Sequence, residues 1–148
     1  SSSLRTRQTC ENIWPQRKDI IYLDTLKEIV LGPWEGRLYD DIAKDDPKSH
    51  KNFFYHPHLF SVNGAESFRD LTDRAIKCID EILIHNWGKT IALVGHGAFI
   101  KALITNLEGK SLFQIWEPPF MHNCAHTIIN FSKTGSTKII QYADKKKW

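Results

Sequence analysis

Hydrophobic and polar positions along the chain divide it into alternating helical and extended stretches. Between residues 66 and 87, Phe68, Leu71, Ala75, Cys78, Ile79, Ile82 and Leu83 recur at intervals of three and four. Asp70, Asp73, Arg74, Lys77 and Asp80 fill the other positions, which predicts an amphipathic helix with Arg74 on its solvated face. Ile91-Ala92-Leu93-Val94 is a short apolar run with β-branched residues at both ends, and it predicts a buried strand. It runs into Gly95-His96-Gly97, after which Phe99, Ile100, Leu103, Ile104 and Leu107 follow at helical spacing. Residues 4–14 predict a helix with serines ahead of it to cap its free N–H groups. Residues 19–23, with Ile20, Ile21 and Tyr22, predict a short strand. Residues 127–131 and 138–142 flank Lys133-Thr134-Gly135-Ser136 and predict an antiparallel hairpin. The stretch 32–64, rich in Pro, Asp, Asn, His and aromatics, reads as short helical turns and loop covering a site. Helices alternating with strands indicate an α/β sandwich with helices on both faces of a sheet.

In that pattern His96 stands where a strand ends and a helix begins, between glycines that let other groups approach the backbone. Ligands of open α/β sheets collect at the carboxyl ends of strands, and a helix N-terminus there favours anions. The place suits a phosphate. A structural histidine at a tight turn is the alternative reading of the same residues.

The N-terminal run Ser1-Ser2-Ser3-Leu4-Arg5-Thr6-Arg7-Gln8-Thr9-Cys10-Glu11 resembles the S-x-L-x-R-A-x-Q-T-A-E segment of the histidine phosphatase superfamily, whose best-known branch is phosphoglycerate mutase. Leu26-Lys27-Glu28 followed by Gly32-Pro33-Trp34-Glu35-Gly36 is similar to that family's L-x-E-x-x-x-G-x-W-E-G signature. Gly64-Ala65-Glu66-Ser67 resembles its G-G-E-S turn, and Gly95-His96-Gly97 its second histidine motif. The blocks stand in the family's order from Ser1 to about Leu107. The family's R-H-G block, which carries the histidine that becomes phosphorylated, does not occur in these residues. The resemblance therefore implies a phosphoglycerate-mutase-like three-layer α/β/α sandwich lacking its first two strands. Residues 1–148 are read as one histidine-phosphatase-type domain, incomplete at its N-terminus. A sheet without its first strand would expose apolar faces and unpaired edges beside residues 91–94.

The resemblance also implies roles. Arg5 matches the phosphate-clamping arginine, whose planar paired donors suit phosphate oxygens. His96 matches the histidine that helps hold the transferring phosphoryl group, with the helix start adding N–H donors, and Gly97 joins Arg5 and His96 as a substrate-binding position. Glu28 matches the proton donor and acceptor, a role that calls for burial among apolar groups such as Ile29, Val30, Leu31 and Trp34. Glu35, the rival acid, falls in the W-E-G turn and reads as structural, and Arg7 as a surface or ion-paired residue. No metal and no cofactor are expected. His56-Pro57-His58 lacks a third ligand of clear spacing and reads as loop-surface histidines, while His50, His85, His122 and His126 have no recognisable spacing. Asn123-Cys124 resembles a turn before the penultimate strand.

Composition narrows the class. A chain of 148 residues, 41% hydrophobic and 25% charged, fits a soluble globular domain with a core of its own. The net charge of +3 is mild, and Lys145-Lys146-Lys147 reads as a solvated tail rather than a nucleic-acid patch. No apolar run approaches the ~20 residues that cross a bilayer. Cys10, Cys78 and Cys124, odd in number and widely spaced, read as reduced, mostly buried thiols of a cytoplasmic protein. The expected partner is a small phosphorylated substrate, with no nucleic acid and no membrane. The moderate length from Glu28 to Gly64 places the chain nearest the small phosphatase branch, such as α-ribazole phosphatase. The reading is a phosphomonoester phosphatase with a phosphohistidine intermediate and its nucleophile upstream of Ser1. Mutase-type phosphoryl transfer, and a non-catalytic phosphate-binding scaffold, are the alternatives.

Overall fold

The computed structural model describes residues 1–146. Five α-helices run in chain order: α1 (Leu4–Ile13), α2 (Tyr39–Asp45), α3 (Pro47–Tyr55), α4 (Phe68–Ile84) and α5 (Gly97–Leu107). One antiparallel sheet, β1 (Ile128–Phe131), β2 (Thr137–Tyr142) and β3 (Lys145–Lys146), follows in the order β1-β2-β3.

The α4 helix is set by its apolar stripe. Leu71, Ala75 and Cys78 are almost fully buried, and Ser67 starts the helix by accepting the Asp70 amide on its hydroxyl at 3.2 Å. The stripe packs on α5, where Ala98, Phe99, Ala102 and Leu103 enter the same core. Alanine at both Ala75 and Ala102 keeps side-chain bulk out of the shared core. Truncating Leu71 or Phe99 in such a core costs about 2–5 kcal/mol. On the far side of α5, Ile104 packs with Tyr142 and Ala143 beneath the hairpin. A buried Lys101 sends its ammonium to the Glu117 and Pro119 carbonyls and stands 5.2 Å from the Tyr142 ring centroid. So α5 is enclosed on both sides, and its N-terminus is fixed.

The stretch 32–64 contains α2, α3 and short 3-10 turns at Gly32–Trp34 and Pro57–Leu59. Trp34, Phe53, Phe60 and Phe68 form an aromatic cluster at its base, with Trp116 closing it through an Nε1–H bond to the Phe53 carbonyl.

Several expectations are corrected. Residues 91–94 and 19–23 are neither helical nor part of a sheet, and Ile91 and Leu93 are 41% and 43% exposed. A strand is buried by its neighbours, and among the described residues none pairs with either segment. Main-chain bonds reach them from the N-terminal serines, from the Ser1 nitrogen to the Val94 carbonyl (2.8 Å) and from the Ser2 amide to the Leu23 carbonyl (3.2 Å). Ser3 occupies the α1 N-cap, but its side chain makes no capping bond; Thr6 instead donates to the Ser1 and Ser3 carbonyls. Lys145 and Lys146 are exposed, as expected, but form a strand rather than a tail: Ala143 and Asp144 turn through positive φ and return them against β2. Lys147 lies outside the described residues. The predicted hairpin forms around Gly135 at φ +85°. Of the thiols, Cys10 and Cys78 are buried, Cys124 is exposed, and all three are free.

Candidate active site

Three segments meet at the start of α5. The 3-10 turn Asp24–Leu26 buries Leu26 and delivers Glu28 from below. The carboxylate of Glu28 then accepts the Ala98 amide at Oε2 and the Phe99 amide at Oε1, both at 3.1 Å, and the Ile29 amide at Oε1 at 3.0 Å. The first amides of a helix have no intrahelical partner, and their partial positive charge favours an anion. Glu28 supplies it. This corrects two expectations: the acid faces amide hydrogens rather than the side chains of Ile29, Val30, Leu31 and Trp34, and the α5 amides of Ala98 and Phe99 are already engaged rather than open to a phosphoryl group. Val30 itself is half exposed.

His96 is the N-cap of α5, in extended conformation, with its ring buried and Nε2 3.0 Å from the Ser1 hydroxyl. Burial pushes its pKa down to about 4, helped by the positive charges of Arg5 and Arg74. The ring is neutral at pH 7. Arg5 lies exposed on the first turn of α1 and makes no side-chain hydrogen bond or ion pair among the described residues, yet its charge reaches His96. Gly97 opens α5 next to the acid: a Cβ there would stand 3.9 Å from Glu28 Oε2. The structure thus brings Glu28, His96 and Gly97 together, with Arg5 in electrostatic range.

The other candidates separate from this centre. Glu35 accepts the Leu31 amide at 2.8 Å and braces its own turn, the structural place expected of it. Arg7 is on the surface, bonded to the Ser2 carbonyl and lying over the Tyr22 ring. His56 and His58 flank the Phe113 ring. Among the described residues no group of three or more His, Cys, Asp or Glu is placed to hold a metal ion.

The periodicity of α4 misplaced one residue. Arg74 turns inward, its side chain only 23% exposed, and forms a two-pronged ion pair with Glu66, through Nε at 2.8 Å and Nη2 at 2.7 Å. Its Nη1 donates to the Thr25 and Lys27 carbonyls at 2.8 and 2.9 Å, and Nη2 reaches the Glu28 carbonyl at 3.4 Å. The signal available in sequence was Glu66 inside the Gly64-Ala65-Glu66-Ser67 turn, a carboxylate without an obvious surface role.

A family model described as Histidine phosphatase superfamily (branch 1) matches residues 1–144. The chain belongs to that superfamily. It is 34% identical to Bacillus stearothermophilus YhfR, whose structure superposes with a TM-score of 0.89 over 94% of this chain and 69% of that one. The α-ribazole phosphatase of Shigella flexneri, at 18% identity and a TM-score of 0.76 over 91% of this chain and 66% of its own, shares the fold. Among curated relatives, phosphoserine phosphatase 1 of Hydrogenobacter thermophilus is 26% identical, with 66% of this chain and 46% of that protein covered. The 2-carboxy-D-arabinitol-1-phosphatase of Triticum aestivum is 30% identical, with 86% of this chain and 26% of that protein covered. The chain spans less than half the length of these two curated relatives. Its architecture is the mixed α/β fold of phosphoglycerate-mutase-like histidine phosphatases. Among the described residues no helix is long and apolar enough to cross a membrane.

Proposed function

We propose that residues 1–148 supply one histidine-phosphatase-type domain of a phosphomonoester phosphatase, with the nucleophilic histidine upstream of Ser1. The observation that carries this reading is the meeting of Glu28 with the first amides of α5, beside His96 and within reach of the Arg5 charge. A pure phosphate binder has no need of a carboxylate there, since a second anion would oppose the first. The phosphatase names of the relatives point to the same class of reaction.

In this scheme an imidazole nitrogen attacks phosphorus and the bond to the leaving oxygen breaks. That oxygen takes a proton from Glu28, which must first be protonated on a carboxylate lone pair that the α5 amides leave free. Water, giving a proton back to Glu28, then attacks the phosphohistidine, releasing phosphate and restoring the imidazole. Arg5 and a neutral, donating His96 hold the phosphoryl oxygens throughout. The substrate is a small phosphate monoester and the setting cytoplasmic, in keeping with three free thiols.

The test compares the 148-residue chain with a version carrying an upstream Arg-His-Gly segment, on an aryl phosphate and by acid-labile phosphate incorporation. Activity is expected only in the longer protein, because losing the nucleophile of a covalent enzyme such as a serine protease costs on the order of 10⁶ in turnover. Robust turnover by the short chain, abolished by His96→Ala, would assign the nucleophile to His96 instead.

A further inference from the structure

We propose that Arg74, locked by Glu66, is the positioning residue of this site: its guanidinium holds the backbone of Thr25, Lys27 and Glu28 so that the Glu28 carboxylate is aimed at the opening of α5. The inference rests on the proposed role of Glu28 and names what sets its place.

The segment that carries Glu28 has little regular structure of its own. After the single turn Asp24–Leu26 it has no ladder and no helix to fix its direction. Its carbonyls at Thr25, Lys27 and Glu28 are collected instead by one side chain from α4. A guanidinium can do this because its N–H groups leave a rigid plane in several fixed directions, which an ammonium cannot match.

The plane itself is fixed from behind. Nε and Nη2 face the two Glu66 oxygens, and the pair is largely withdrawn from water, at 23% and 13% side-chain exposure. Glu66 is tied to the same segment by its main chain: its amide donates to the Val30 carbonyl at 2.7 Å, and its Oε2 accepts the Val30 amide at 3.3 Å. The other end of the arrangement is α5. The guanidinium carbon of Arg74 stands 5.6 Å from the centroid of the Phe99 ring, and Phe99 is the residue whose amide binds Glu28 Oε1. One cation thus touches the backbone bearing the acid, the turn behind it and the helix that receives it. A surface arginine stapling α4 to a loop would need none of this convergence.

The experiment uses the full-length protein with Arg74→Lys, Arg74→Met and Glu66→Gln. Two readings are taken: steady-state kinetics across pH, and hydrogen exchange at the Ala98 and Phe99 amides. Misplacing an acid by about an ångström costs on the order of 100-fold in rate, so kcat should fall by about that factor in Arg74→Met with KM within about threefold. The pH limb that vanishes in Glu28→Gln should shift in the Arg74 variants. Exchange at Ala98 and Phe99 should quicken at least about tenfold, and Arg74→Lys should restore only a part of either effect because it keeps charge without the fork. Unchanged kcat, pH limb and exchange in Arg74→Lys and Glu66→Gln would overturn the proposal, and Arg74→Lys serves should Arg74→Met fail to fold. A Glu28→Gln protein of full activity would overturn the acid assignment alone, while the exchange measurement still decides whether Arg74 aims the carboxylate.

Discussion

Glu28 Oε1 accepts the amide hydrogen of Phe99 at 3.1 Å, across 71 positions of sequence. The contact joins an irregular segment to the first turn of a buried helix, so it belongs both to the stability of α5 and to the proposed chemistry. A carboxylate at a helix N-terminus contributes roughly 0.3–1 kcal/mol when exposed and up to about 2 kcal/mol when partly buried. Glu28→Ala should therefore lower unfolding free energy by about 1–2 kcal/mol, and Glu28→Gln, which keeps one acceptor oxygen, by less. Urea titrations give the stability. In the longer protein that carries the nucleophile, turnover should fall by about 10²–10⁴ in both variants, since neither can exchange a proton. Equal turnover in Glu28→Gln and the parent would remove Glu28 from the reaction.

His96 makes stability depend on pH. Its folded pKa, near 4, lies below the ordinary value of 6.5, so between these values the unfolded chain binds more protons than the folded one. Stability is full above about pH 6.5 and is lost as pH falls toward 4. The loss from this residue is on the order of 1–3 kcal/mol, and His96→Gln should flatten that part of the curve. An anion bound beside His96 would offset the Arg5 charge, so inorganic phosphate should raise the His96 pKa. Titration of the imidazole by NMR, with and without phosphate, measures both; a midpoint near 6.5 in the free protein would contradict the burial argument.

Gly32 and Gly36 separate two reasons for glycine in one loop. Both have positive φ, +57° and +75°, but a Cβ on Gly32 would lie 2.5 Å from the Gly64 carbonyl carbon, whereas one on Gly36 meets nothing within 4 Å. Gly36→Ala should cost about 1 kcal/mol, the strain of the left-handed backbone alone. Gly32→Ala must also push the 64–66 turn away, and with it Glu66 and its grip on Arg74. Thermal melts should put Gly32→Ala well below Gly36→Ala, and activity should drop in the former only.

The sequence made α4, α5 and the hairpin legible because periodicity and a Gly-containing turn are local signals. Ile91 to Val94 could not be read the same way, since burial of an apolar run is decided by what lies beside it. The return of Lys145 and Lys146 onto β2 depends on Ala143 and Asp144 at positive φ, which alanine does not advertise. At the site, Glu28, His96 and Arg5 came from motif resemblance. Arg74 was lost for a definite reason: on α4 it stands next to Asp73 and close to Lys77, both exposed, and charge alone cannot distinguish a solvated arginine from one drawn inward by a partly buried carboxylate. The partner's identity, Glu66, lies eight positions away in a turn, beyond the reach of helix spacing rules.

Arg5 gives the last test, because its side chain makes no bond among the described residues and removing it should leave the packing undisturbed. It is also exposed, so Arg5→Ala should change stability by less than about 0.5 kcal/mol. Its charge nonetheless helps depress the His96 pKa, so the same substitution should let that pKa rise from about 4. If Arg5 also grips phosphate, inorganic phosphate or vanadate should bind about 10- to 100-fold more weakly to Arg5→Ala, the loss of a charge-assisted pair of hydrogen bonds. Arg5→Lys should recover the effect on His96, which needs only charge, but only part of the binding, which needs the planar fork. Calorimetry of phosphate binding alongside the imidazole titration reads the two effects separately. Full phosphate affinity in Arg5→Ala, with the His96 pKa raised, would leave Arg5 as a neighbour of the site and assign the grip on phosphate elsewhere.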